Sequence, residues 1–302
     1  MSAPGVGVPQ EILRQVKLIE LRTRGSVNSL FTGEYRSVFK GQGMEFAEVR
    51  EYESGDEVRS IDWNVTARMR RPFVKRYVEE RELTVLLAVD LSGSARFGTA
   101  RRFKSEAEIE LAAVIAMAAV RNNDRVGTLL FTDRIELMVP PRKGRRHALR
   151  VLRDLLAAAP VGRGTDLPGA FEYLSRVLAH RTIVFVLSDF QGADYDRQLA
   201  FLAQRHDVIA VTTEDPAELT LPNVGLVRFI DPETDALVDV DTADPRVRLQ
   251  YERRVAAERA TRQHLLRRLG LDEIELRTDA GVVEPLLRFF RTRERRARRR
   301  AA

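Results

Sequence analysis

Two short motifs combine acids with hydroxyls at a spacing that suits cation chemistry. Asp90-Leu-Ser92-Gly-Ser94 follows the apolar run Leu83–Val89, and Ser188-Asp189 closes the apolar run Thr182–Leu187. Between them, Gly162-Arg-Gly164-Thr165-Asp166 precedes a helix-like stretch. Mg²⁺ and Mn²⁺ take oxygen ligands in an octahedron of about 2.0–2.2 Å and retain several waters. Asp90 and Asp189 would balance the ion's charge, directly or through water. Ser92, Ser94 and Thr165 would add neutral oxygens on short side chains. Such a set leaves a position for an acidic oxygen from a partner, and ligand types alone do not separate Mg²⁺ from Mn²⁺ or Ca²⁺.

Each motif has a plainer reading. Aspartate and serine are ordinary helix caps and turn formers; it is the order Asp90, Thr165, Asp189 on the right elements that favours a metal. Asp166 serves either as a partner to the ligands or as the cap of the helix beginning at Leu167. Thr132-Asp133 reads as a hairpin turn. Enzyme motifs are missing. No GxxxxGK[ST] occurs, position 46 breaks a GxGxxG at Gly41 and Gly43, and Asp90 stands where a GxSxG elbow needs glycine. A phosphohydrolase with Asp90 as nucleophile remains an alternative. It would want a second carboxylate and a lysine in the crevice, whereas the sequence neighbours are serines. The expectation is a non-enzymatic protein.

The elements that must hold these residues are legible from periodicity. Leu83–Val89, Thr182–Leu187 and Val208–Thr212 are short and continuously apolar, as strands buried on both faces are. Helices are expected over Arg101–Arg121, Arg145–Ala158 and Leu167–Ala179, with a hairpin at Arg125–Phe131 and Ile135–Val139. Strands separated by helices predict an α/β fold, a doubly wound, mostly parallel, Rossmann-type three-layer sheet. Functional groups of such sheets gather at the carboxyl ends of strands, where chain order reverses. Further on, Gly225–Ile230 and Leu237–Asp241 suggest a second hairpin, Asp244–Leu269 a long charged helix, and Leu286 onward a helix ending in arginine. A short amphipathic helix is expected around Ile12, Leu13, Val16, Ile19 and Leu21. Three segments result: 1–80, 81–215 and 216–302.

The absence of cysteine removes disulfide, thiol and cysteine-metal chemistry, and four scattered histidines form no HExxH pair. The net charge is +6, yet residues 288–302 alone carry eight arginines against Glu294, so the rest of the chain is close to neutral. This tail reads as the solvated end of the last helix, favoured by the helix dipole; nucleic-acid binding by counterion release is the alternative. No apolar run is long enough to span a bilayer, and the N-terminus lacks a signal-peptide pattern. A soluble, cytoplasmic protein is expected.

The Asp90, Ser92, Ser94, Thr165 and Asp189 pattern resembles the metal-ion-dependent adhesion site of von Willebrand factor A domains. That resemblance covers about Leu83 to Thr212, departing where Phe190 follows Asp189 in place of a common glycine. The upstream run FKGQGMEFAEVREYESGDEVRSIDWNVTARMRRPFVKRYVEERE, with DPETDALVDVDT and RLGLDEIELRTD, is similar to the prokaryotic domain of unknown function 58 family. Membership implies an A-type domain with family-specific N- and C-terminal additions and a MoxR-type AAA+ ATPase as partner. Within GDEVRSIDWN, the residues Asp56, Arg59, Asp62 and Trp63 are candidates for a docking surface; the plainer reading is an internal arginine–carboxylate network with Trp63 as packing.

Overall fold

The computed structural model describes Arg14, Leu18 and residues 45–53, 56–57, 60–78, 82–99, 102–192 and 194–301. Of the expected N-terminal helix only Arg14 and Leu18 are described, both helical, and Arg59 lies outside the described residues. Phe39–Leu83 form one compact unit, and Thr84–Ala302 belong to the other.

In the smaller unit, β1 (Glu45–Glu51) pairs antiparallel with β2 (Phe73–Val78) around the short helix α1 (Trp63–Met69). Two acids of the polar run before α1 make local bonds. Asp62 caps α1 by accepting from the Asn64 and Val65 amides, and Asp56 accepts from Arg50 at 2.6 Å and from the Glu53 amide at 2.9 Å. Trp63, the first residue of α1, is 66% exposed.

In the larger unit, β3 (Thr84–Asp90) precedes α2 (Lys104–Arg121), β4 (Arg125–Phe131) and β5 (Ile135–Arg142). Next come α3 (Arg145–Leu156), α4 (Leu167–Val177), β6 (Ile183–Ser188), α5 (Asp196–Arg205) and β7 (Asp207–Glu214). The chain ends with β8 (Leu226–Ile230), β9 (Leu237–Asp241), α6 (Pro245–Arg268), β10 (Asp272–Arg277) and α7 (Val283–Ala301). Six strands form one mixed sheet in the order β10-β7-β6-β3-β4-β5, parallel except for β5. Strand alternation sends Leu86, Ala88, Leu129, Val184 and Val186 to a core face shared with α4, α5 and Leu265–Leu266 of α6. Their alternates face the layer containing α2, whose centre is buried nearly all round. The sheet continues past residue 215, because Asp272–Arg277 adds an edge strand beside β7.

Past β7, Asp215 joins segments far apart in sequence. It accepts from the Thr99 amide and hydroxyl at 2.9 and 2.5 Å and from the Thr278 hydroxyl at 2.5 Å. Burial alone would raise its pKa, but these bonds hold it at about 2. Asp215→Ala leaves buried donors unpaired and should cost about 2–4 kcal/mol in a urea titration at pH 7. A loss below about 0.5 kcal/mol, the scatter of an ordinary surface substitution, would contradict this.

The arginine-rich end is helical through Ala301 and is more than a solvated tail. Arg296 bonds Asp272 at 2.6 Å, and Arg293 pairs with Asp207, tying α7 to the starts of β10 and β7. No helix among the described residues is long and apolar enough to cross a membrane.

Candidate functional site

The sheet reverses its order between β3 and β6, and the acid–hydroxyl residues stand there. From β3 the chain winds outward through β4 and β5, then returns to lay β6 on the other side of β3. The carboxyl ends of β3 and β6 therefore border the crevice where open α/β sheets bind ligands. Asp90 ends β3 and is 2% exposed. Its Oδ1 accepts from the Ser92 amide at 2.9 Å and its Oδ2 from the Ser188 hydroxyl at 2.7 Å. Ser92 Oγ lies 3.1 Å from Ser94 Oγ, which sits in a 3₁₀ turn over Gly93–Arg96.

The loop bearing Thr165 is tied to this turn, since the Gly93 amide donates to the Arg163 carbonyl at 2.7 Å. Thr132-Asp133 supports the same loop as a turn: the Asp166 amide donates to the Thr132 carbonyl, and Glu136 gathers the Thr132 hydroxyl and the Val161 and Gly162 amides. Asp166 caps α4 by accepting from the Gly169 amide at 2.9 Å. Capping, rather than a role beside the ligands, is what the structure gives it.

Asp189 has a partner that its sequence neighbours do not reveal. Lys104, 1% exposed at the start of α2, donates to Asp189 Oδ2 at 2.9 Å and to Glu218 Oε1 at 2.8 Å. Burial disfavours this ammonium, but the charges of Asp189 and Glu218 outweigh burial and raise its pKa. One turn along α2, Glu108 is 2% exposed and its Oε2 has no hydrogen-bond partner. Burial pushes Glu108 up to about 8. Burial, then the charge of Asp189, pushes Asp90 up to about 6. At 190, where adhesion-type domains often carry glycine, Phe190 adopts a left-handed backbone (φ 56°). That conformation costs a non-glycine residue about 1–2 kcal/mol, offset here by a buried ring packed 5.8 Å from Tyr195.

The crevice thus also holds residues that sequence reasoning missed. Lys104 and Glu108 did leave a signal, as charged residues four apart on a helix that is otherwise apolar at its centre. Glu218 and Glu233 left none. Glu233, in the β8–β9 turn, accepts from Thr165 Oγ1 at 3.0 Å, and burial raises its pKa. Asp189 and Lys104 supply the second carboxylate and the lysine that the sequence neighbours of Asp90 lacked for a phosphohydrolase.

Among the described residues no three or more His, Cys, Asp or Glu side chains gather as a metal cluster. The candidate set is of another kind, two carboxylates with three hydroxyls. Its chemistry fits a hard cation: burial, then the charge of Asp189, disfavours the ionised form of Asp90, and a positive ion beside it would favour that form.

A mostly parallel six-stranded sheet with carboxylates and hydroxyls at its switch point places the molecule among the open-sheet α/β proteins. More specifically, the chain belongs to the family described as protein of unknown function DUF58, whose model matches residues 48–261. It is 33% identical to the uncharacterized protein Rv1480 of Mycobacterium tuberculosis, over 98% of this chain and 97% of that one. The uncharacterized protein Mb1516 of Mycobacterium bovis matches to the same extent. Among solved structures, an aerotolerance-related membrane protein from Bacteroides fragilis matches with TM-score 0.47 and 14% identity, over 70% of this chain and 99% of that one. BatB from Bacteroides thetaiotaomicron gives TM-score 0.43 and 13% identity, over 69% and 99% of the two chains.

Proposed function

We propose that the chain is a non-enzymatic, cation-dependent protein-interaction module. In this reading residues 81–215 are a von Willebrand factor A-type domain, and Asp90, Ser92, Ser94, Thr165 and Asp189 hold Mg²⁺, or Mn²⁺ or Ca²⁺ in its place. The ion takes a carboxylate from a partner, for which a MoxR-type AAA+ ATPase in the cytoplasm is the candidate. The supporting observation is the convergence of Asp90, Ser92 and Asp189 at the switch point of the sheet, with the Thr165 loop bonded to the Asp90 loop. When bound, the ion supplies a positive charge with room for an outside oxygen. The protein's part is to orient the ligands: Ser188 and the Ser92 amide fix both oxygens of Asp90, and Lys104 with the Gln191 amide fixes those of Asp189.

Affinity capture from native lysate tests this with Mg²⁺, with EDTA, and with Asp90→Ala and Asp189→Ala. Retention of an AAA+ ATPase with Mg²⁺ should fall more than about tenfold in each of the other conditions. Equal retention throughout would overturn the reading.

Lys104 and Asp189 favour a second reading, Asp90 as the nucleophile of a phosphohydrolase. Both oxygens of Asp90 already accept hydrogen bonds and the residue is buried, which suits a fixed cation ligand better than an attacking nucleophile. Phosphomonoester hydrolysis that Asp90→Asn abolishes would reverse this preference.

A further inference from the structure

The turn joining β8 and β9 is built to hold one carboxylate over the candidate site. Across the turn the Asp231 amide donates to the Ala236 carbonyl and the Asp235 amide to the Asp231 carbonyl, each at 2.9 Å. Asp231 Oδ1 accepts from the Glu233 amide at 2.9 Å, which fixes the direction in which Glu233 leaves the turn. That turn is seated on both loops of the site. Glu233 Oε1 takes the Thr165 hydroxyl at 3.0 Å, and Asp235 pairs with Arg163. At Gly93 the Pro232 carbonyl approaches so closely that any side chain there would collide with it. The strands behind the turn are exposed instead, Leu226 by 74%, Ile230 by 63% and Leu237 by 60%. The hairpin is therefore seated on the crevice through its tip, where polar contacts dominate.

Glu233 feels the negative charge of Asp189, which the Lys104 ammonium beside Asp189 opposes in part, so the turn holds a carboxylate that a further positive charge would favour. We propose that Glu233 is the chain's own carboxylate for the cation of this site, placed where a partner's acid would otherwise go. A partner carboxylate must then displace the β8–β9 turn before it reaches the ion. This rests on the cation reading above and adds to it an internal occupant of the partner position.

Mn²⁺ alone is the probe, titrated by electron paramagnetic resonance into the full chain, Asp90→Ala and Glu233→Gln. Hydrogen exchange of the β8–β9 amides is followed with and without Mg²⁺. Asp90→Ala should lose binding, while Glu233→Gln should bind about tenfold more weakly. Mg²⁺ should slow exchange in the hairpin of the natural chain and leave that of Glu233→Gln unchanged. If Asp90→Ala loses Mn²⁺ but Glu233→Gln matches the natural chain in affinity and in exchange, the inference fails and the cation site stands. If the natural chain binds no Mn²⁺, or Asp90→Ala binds it equally well, both fall together.

Discussion

Replacing Lys104 with methionine will lower the folding stability by about 3–5 kcal/mol, because it removes one member of a buried ionic group and strands the others. The ammonium is 1% exposed and lies 2.9 Å from Asp189 and 2.8 Å from Glu218. Methionine is close in volume and fills the same space, so cavity formation contributes little. What is lost is the positive charge that pairs with Asp189, whose side chain is 6% exposed, and with Glu218. Urea titration at pH 7 measures the effect. Neutralising a stranded partner should recover part of it, so Lys104→Met with Glu218→Gln should be more stable than Lys104→Met alone, a coupling that a double-mutant cycle isolates. If Lys104→Met matches the natural protein, or the double change is simply additive, the ionic group does not hold this end of the sheet together. Lys104 would then be a filler whose charge is solvated by other means.

How far the sequence discloses this arrangement depends on the range of the signal. The strands β3, β6 and β7 declare themselves as short apolar runs because burial on both faces leaves no room for polar side chains. Asp90 and Ser188-Asp189 are legible for the same reason, standing where those runs stop. The hairpin of Leu226–Ile230 and Leu237–Asp241 was equally visible, and its observed limits match the expected ones to within one residue. Strand β10 was not visible. Asp272-Glu-Ile-Glu-Leu-Arg alternates charge with only two apolar residues, since an edge strand is covered on fewer sides. Helix α1 was hidden in a polar run whose aspartate signals a cap as readily as a binding surface. The partners of the site residues depend on tertiary distance alone. Lys104 meets Asp189 across 85 positions and Thr165 meets Glu233 across 68, and no local periodicity encodes either meeting.

Glu108 gives the second large effect, and its sign follows from burial. The carboxyl lies inside α2 at 2% exposure, with Oε2 lacking a hydrogen-bond partner, and burial raises it from 4.5 to about 8. The Thr213 hydroxyl and Lys104 oppose that rise, while the charges of Asp90 and Asp189 reinforce it. A raised carboxyl binds its proton more tightly in the folded chain than in the unfolded one. Stability is therefore complete below about pH 4.5 and is lost as pH climbs toward 8. Asp90, raised to about 6, has the same sign over a lower window, so the natural chain alone does not separate the two. Glu108→Gln does, because an amide copies the protonated acid and does not titrate. Near pH 5 the variant should be ahead by less than about 1 kcal/mol. By pH 9 it should be the more stable on the order of 4 kcal/mol, with the difference growing by up to about 1.4 kcal/mol per pH unit. Urea midpoints taken at each unit from pH 5 to 9 measure that slope. A difference that stays flat over the range would show Glu108 ionised in the folded protein and compensated by a positive charge. Lys104, on the same face one turn back, would then have to serve a third carboxylate beside Asp189 and Glu218, and the loss expected for Lys104→Met would rise accordingly.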